Sequence, residues 1–288
     1  MEDKSILVSV IIPTYKDWDR LKLCLDALYF QSYDQEQFEI LVVNNDPNDS
    51  FNQNFAFLNK NVAFLDEKKT GSYAARNKAL TVAKGKYIGF TDSDCIPDKN
   101  WIKNAVEIFE NKPEVDRIGG KIKLFYPNKN VSIADLYDET YAFPQKDYVE
   151  GGFAVTGNLF VRMKVLDNNY FDEELESGGD LKWGLNSTKK GFSIVYSPDV
   201  LINHPTRSTV EELVRKMKRV GKGLRKASNA GKQYSSLHLM LFYLKNFCFK
   251  YITETGQRNP SLSLKNKLLV SALHAYILYT RDKEKYRS

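Results

Sequence analysis

The sequence predicts an α/β fold: a mixed, mainly parallel sheet with helices on both faces, continued by a basic, mainly helical C-terminal extension. Continuous apolar, β-branched runs alternate with amphipathic helical stretches from residue 8 to residue 110. That alternation is the mark of a parallel sheet buried on both faces. The first, second and fourth runs end in PTY, NND and TDSD, so polar residues gather at the carboxyl edge, where such sheets bind ligands. Charge then divides the chain: residues 206–288 carry 18 Lys/Arg against 5 Asp/Glu, and residues 1–205 carry 24 against 31. A catalytic body over residues 1–205 and an extension over 206–288 follow from that split.

Taken in order, VSVII (8–12), closed by Pro13, reads as a buried strand. Leu21, Leu25 and Leu28, with Cys24 between them, place a helix over residues 19–30. FEILVVNN (38–45) and NVAFLDE (61–67) are the next strands. A helix over residues 71–83 is ended by Gly85, and KYIGFTDSD (86–94) is a fourth strand. Trp101, Ile102, Val106 and Phe109 give the helix over residues 100–110. Beyond residue 118 the pattern turns mixed, with strands expected at IGGKIKLFYP, FAVTGNLFV (153–161) and FSIVYSPDV (192–200) and a helix over 181–190. Residues 118–205 are thus a second, mixed half with longer loops, as expected where an acceptor-binding half is built on a nucleotide-binding half over about residues 1–117.

With 288 residues, 42% hydrophobic and 27% charged, the composition is that of a globular protein and excludes a disordered one. No run of 18 uncharged apolar residues suggests a spanning helix, and MEDKSILVSV carries no secretory signal. Cys24, Cys95 and Cys248, far apart and odd in number, suit neither a disulfide framework nor a zinc cluster. A cytoplasmic protein is expected.

Two motifs carry chemistry. Asp92 and Asp94, flanking Ser93 at a strand end, aim carboxylates at one small volume, which suits Mg²⁺ or Mn²⁺ bridging to phosphates; alternatively Asp94 caps a turn and Asp92 is solvated. In GSYAARNKAL (71–80), free amides at a helix start and Arg76 one turn later suit a diphosphate, against the plainer reading of an amphipathic helix with a surface arginine.

The blocks VSVIIPTYK, FEILVVNND, GSYAARNKAL..AKGKYIGFTDSDCIPDKNWI and FDEELESGGDLKWGL, in that order and spacing, resemble family 2 glycosyltransferases over about residues 6–205. The resemblance implies a GT-A fold, an inverting reaction and a nucleotide-diphosphate sugar as donor. It implies that Pro13 and Tyr15 line the nucleotide, with Ser93 beside it, and that Arg76 meets the base or diphosphate. Asp92 would touch the ribose or the metal, Asp94 would be the direct metal ligand, and Asp180 would be the catalytic base. Asn45 stands where the family usually has an aspartate that reads the uracil edge. An amide can accept there but lacks the charge, so UDP is the default nucleotide, with dTDP and GDP as alternatives.

Asp180 has a physical case of its own: Gly178 and Gly179 permit close approach of an acceptor, and the carboxylate can take a hydroxyl proton or cap the following helix. Trp183, one turn on, is either a stacking platform for an acceptor sugar or a core residue. Asn158, in TGN, borders the donor sugar in the family; the plainer reading is a bulge in a sheet. His204 is a third metal ligand or a structural histidine.

In the extension, Ser208 and Glu211 spell a capping box, and LHLMLFYLKNFCFKYI (237–252) is a broad apolar helix. A basic helix followed by an aromatic one suits peripheral contact of residues 206–252 with an anionic membrane at its inner face. It equally suits packing on the catalytic domain or on a second copy as a homo-oligomer. Nucleic acid is not expected, because no recognition module accompanies the charge. The function expected is transfer of a sugar to a hydroxyl of a glycan or lipid-linked saccharide. The rivals are a sugar-phosphate nucleotidyltransferase, which needs a Gly-rich basic loop where PTYKDWD stands, and an inactive carbohydrate-binding or scaffolding homologue.

Overall fold

The computed structural model describes residues 6–46, 48, 61–227 and 234–287. Its sheet has eight strands in the order β3-β2-β1-β4-β7-β6-β8-β5. The strands are β1 (Val8–Thr14), β2 (Phe38–Asn44), β3 (Val62–Asp66), β4 (Tyr87–Thr91), β5 (Ile96–Pro97), β6 (Arg117–Phe125), β7 (Asn158–Arg162) and β8 (Ile194–Pro205). β1 pairs in parallel with β2 and β4, and β2 with β3. β7 runs antiparallel to both β4 and β6, which makes the sheet mixed.

Every residue of β1 is buried, as its unbroken apolar run requires in a sheet covered on both faces. The covering helices include α1 (Trp18–Tyr29), α2 (Ser72–Leu80) and α3 (Trp101–Asn111). Val10, Ile12, Leu25, Val42, Trp101 and Phe160 share the core that α1, α3 and the sheet enclose. Parallel pairing of β1, β2 and β4 brings Tyr15, Asn45 and Asp92 to the same carboxyl edge.

The chain divides into two compact units: residues 1–123, 144–174 and 179–204 form one, and residues 124–143, 175–178 and 205–288 the other. The second is helical, with α4 (Ile133–Tyr141), α7 (Val210–Ala227), α8 (Ser236–Asn246), α9 (Ile252–Arg258) and α10 (Leu264–Lys285). Its apolar cluster holds Ala134, Tyr137, Leu213, Leu262, Val270 and Ile277. The remaining helices, α5 (Gln145–Glu150) and α6 (Gly179–Lys189), belong to the first unit.

Three expectations about elements are corrected. The capping box before α7 is formed by Thr209 and Glu212, which exchange both bonds at 3.2 Å. Ser208 instead donates to the Asp135 carboxylate at 2.8 Å. The strand expected over 153–161 begins only at Asn158, because a turn at Thr156 and Gly157, closed by Asn158 N donating to Val155 O at 3.2 Å, comes first. The single helix expected over 237–252 is α8 followed by a π-helical turn from Phe247 to Tyr251 and then α9.

Candidate active site

The site is built at the carboxyl edge of β4. Immediately after the strand, Asp92 accepts a 2.6 Å bond from Nη2 of Arg76 on α2. The Arg76 side chain is 97% buried, being only 3% exposed, and its Nε has no hydrogen-bond partner among the described residues. Burying a guanidinium is costly unless its donors are used. Asp92 uses one of them; an anion entering beside Asp92 could use more.

Asp94 lies on the other side of the same turn. Its Oδ2 is 3.7 Å from His204 Nε2 on β8 and 3.5 Å from Arg20 Nη1 on α1. Ser93 donates to Asp17 Oδ2 at 3.0 Å, and Arg20 Nε donates to the other oxygen of Asp17 at 2.7 Å. Asp17 and Arg20 therefore brace the loop from the start of α1, and neither was expected from the sequence.

Asp94, Cys95 and His204 each bring one ligand atom within 4.8 Å of the others. Burial, and then the Asp94 carboxylate, push the Cys95 thiol well above its usual range. A protonated, soft sulfur is a poor partner for Mg²⁺ or Mn²⁺, which leaves the carboxylate and the imidazole as donors. A cation about 2.1 Å from each of two donors needs them roughly 3–4 Å apart, so the 3.7 Å Asp94–His204 separation fits.

The entrance to α2 depends on Asn45. Its Oδ1 accepts from Gly71 N at 2.6 Å, and its Nδ2 donates to Lys69 O at 2.7 Å and Glu67 O at 3.0 Å. Gly71 holds a φ of +128° at the helix N-cap, a conformation that only glycine adopts without strain. Asn45 thus holds the loop that presents α2, a task unlike the base contact that the resemblance implies.

Tyr73, one turn before Arg76, connects this helix to Asp180. The phenol oxygen accepts from Gly179 N at 2.9 Å and Asp180 N at 3.3 Å, and donates to Asp180 Oδ1 at 3.3 Å. Leu181 N also donates to Asp180 Oδ1, at 3.0 Å. A Cβ at Gly179 would lie 2.6 Å from the Tyr73 ring, so only glycine admits the phenol. Asp180 is in the first turn of α6, which starts at Gly179; it is not the cap. Burial raises its pKa, against the pull of Leu181 N–H, Arg76 and the Tyr73 hydroxyl. Tyr73 was not foreseen, although its place three residues before Arg76 on one helix face was a readable signal.

Of the other expected residues, Pro13 is buried within β1 opposite Val43 and Tyr15 stands exposed beyond the strand. Lys16 sits over the Tyr15 ring, 5.5 Å from its centroid.

Two expectations fail on burial. Asn158 is 0% exposed, accepts from Trp101 Nε1 at 2.8 Å and donates to Lys121 O and Val200 O at 2.8 and 2.9 Å. It is an internal strut with no polar atom left for a sugar. Trp183 is 3% exposed, donates to Asn169 O at 2.6 Å and packs against Phe171. It is a core residue, not a stacking platform.

Comparison with known proteins identifies the family and the fold. Residues 9–169 match the model of "Glycosyl transferase family 2". Glycosyltransferase AglE of Haloferax volcanii is 35% identical over 223 residues, covering 75% of this chain and 72% of that relative. A dolichyl N-acetyl-alpha-D-glucosaminyl phosphate 3-beta-D-2,3-diacetamido-2,3-dideoxy-beta-D-glucuronosyltransferase of Methanococcus voltae is 24% identical, covering 72% of this chain and 70% of that one. Among solved structures, the mannosyltransferase PcManGT from Pyrobaculum calidifontis, in complex with GDP-Man and Mn²⁺, superposes with a TM-score of 0.61 at 18% identity. It spans 96% of this chain and 86% of its own. TarS 1–349 of S. aureus, in complex with UDP-GlcNAc, gives 0.54 at 19% identity over 98% of this chain and 90% of its own.

Proposed function

The chain is a GT-A protein of glycosyl transferase family 2, and on that premise we propose that it is an inverting enzyme using a nucleotide-diphosphate sugar. The acceptor would be a hydroxyl of a glycan or lipid-linked saccharide. The observation that carries this reading is the Asp180 carboxylate, held by Tyr73 and lifted in basicity by burial. A carboxylate whose basicity is raised by burial is a better general base than an ordinary one.

In this reading Asp180 takes the proton of the acceptor hydroxyl as that oxygen bonds to the anomeric carbon. The bond from the same carbon to the diphosphate oxygen breaks, and its electron pair leaves with the nucleoside diphosphate. Arg76, held by Asp92 at 2.6 Å, offers its remaining N–H groups to the diphosphate as charge develops there. Asp94 and His204 would hold a divalent cation, which supplies further neutralisation of the departing diphosphate. Ser93, Asp17 and Arg20 keep the Asp94 loop in position.

Uridine and guanosine donors both belong in the first screen, since a neighbour of each kind is known. The test is a thermal-shift and turnover panel of nucleotide sugars with Mn²⁺, in which the donor raises the melting temperature by mass action. Asp180→Asn should keep that shift and lower transfer by about 10²–10⁴-fold. Full transfer by the variant would place the base elsewhere; no shift with any nucleotide sugar would favour a scaffolding role.

A further inference from the structure

On α8 of the helical unit, Leu237, Met240, Leu241 and Leu244 recur at helical spacing and face outward. Leu237 and Leu244 are 61% exposed and Leu241 57%. Leu239 and Tyr243, on the opposite side, are buried. The inward side alone meets the needs of packing, so the outward stripe has no role within the unit as described. The first turns of α10 add Leu264, Leu268 and Leu269, all exposed. Apolar exposure concentrated in this way marks an interaction surface.

The charge along this stretch of the chain names the partner. From residue 213 to residue 281, Glu254 is the single acidic residue against 14 Lys/Arg, and Glu254 is itself paired with Arg258 at 3.0 Å. Lys222, Lys245, Lys250 and Lys265 are exposed. A second copy would bring two faces of the same sign together. RNA would meet the lysines but leave the leucines without a counterpart. An anionic bilayer satisfies both, with headgroups for the cations and acyl chains for the stripe.

We propose that the outward face of α8 and the first turns of α10 form a docking surface for an anionic lipid bilayer, with the helices lying in its interface. No helix among the described residues is long and apolar enough to cross a membrane, so the contact is interfacial. The sequence suggested residues 206–252 for such a contact. The exposure narrows it to α8 and adds α10, which lay outside that range, while Leu213 of α7 is spent on the unit's own core. The inference stands apart from the transfer chemistry and can fail without it.

The test is flotation of the full-length protein with vesicles of equimolar phosphatidylcholine and phosphatidylglycerol. The wild type should float with them and stay behind with phosphatidylcholine alone. The combined variant Leu237→Glu, Leu241→Glu, Leu244→Glu should lose at least about tenfold in partitioning with an unchanged melting temperature, since these side chains already face solvent. A second variant, Lys245→Gln, Lys250→Gln, Lys265→Gln, should bind less and with a shallower salt dependence. Absence of wild-type flotation, equal flotation of the leucine variant, or equal binding to neutral vesicles overturns the proposal. A wild-type dimer that the glutamates dissociate also overturns it, and assigns the face to a second copy.

Discussion

Tyr73 and Asp94 are the residues whose chemistry can be separated most cleanly by substitution. Burial, and then the Asp180 charge, push the Tyr73 hydroxyl up to about 12, so it is a neutral donor throughout the range in which the enzyme works. Its bond to Oδ1 favours the ionised form of Asp180. Tyr73→Phe removes that bond, and the Asp180 pKa rises further. On the proposed mechanism transfer needs the Asp180 carboxylate deprotonated, so activity falls as pH drops through this raised pKa. The variant's acid limb in kcat/KM should accordingly move to higher pH. A Tyr73 that only filled space would lower the rate at every pH and leave the limb in place. Asp94→Ala should lower Mn²⁺-dependent turnover by about a hundredfold or more and remove Mn²⁺ binding measured by calorimetry. Unchanged Mn²⁺ affinity would move the cation away from the Asp94–His204 pair.

Elements were legible where burial is simplest. β1, β2 and β4 are enclosed on both faces, and such strands must be written as unbroken apolar runs. α4 was not foreseen: IADLYDETY buries two of its three acids, Asp135 and Asp138, along with Ala134 and Tyr137. Its capping box uses an aspartate, Asp135, at the position where glutamate or glutamine is the usual signal. β7 misled for a related reason, since Asn158 looked like a polar residue reaching a ligand. The amide in fact joins α3, β6 and β8 by way of Trp101, Lys121 and Val200. Asn158→Leu would leave those groups buried and unpaired and should cost about 2–4 kcal/mol in chemical denaturation. A cost near zero would mean that solvent reaches the strut.

At the scale of the whole molecule, the charge division near residue 206 was legible, but the grouping of segments was not. Residues 124–143 and 175–178 fold with the extension, and no composition shift marks such insertions. The same limit applies to the site. Tyr73 and Asp180 are 107 residues apart, so their bond is invisible to any local pattern, whereas Asp92 and Asp94 announce themselves by adjacency. One consequence lies in the helix that carries Tyr73 and Arg76. α2 is nine residues long, and its two side chains grip Asp180 and Asp92 respectively. A shift of α2 that re-aims one re-aims the other. The two grips are thus geared: a substitution that moves the helix to re-aim the Arg76 guanidinium also re-aims the Tyr73 phenol, so neither can be tuned alone.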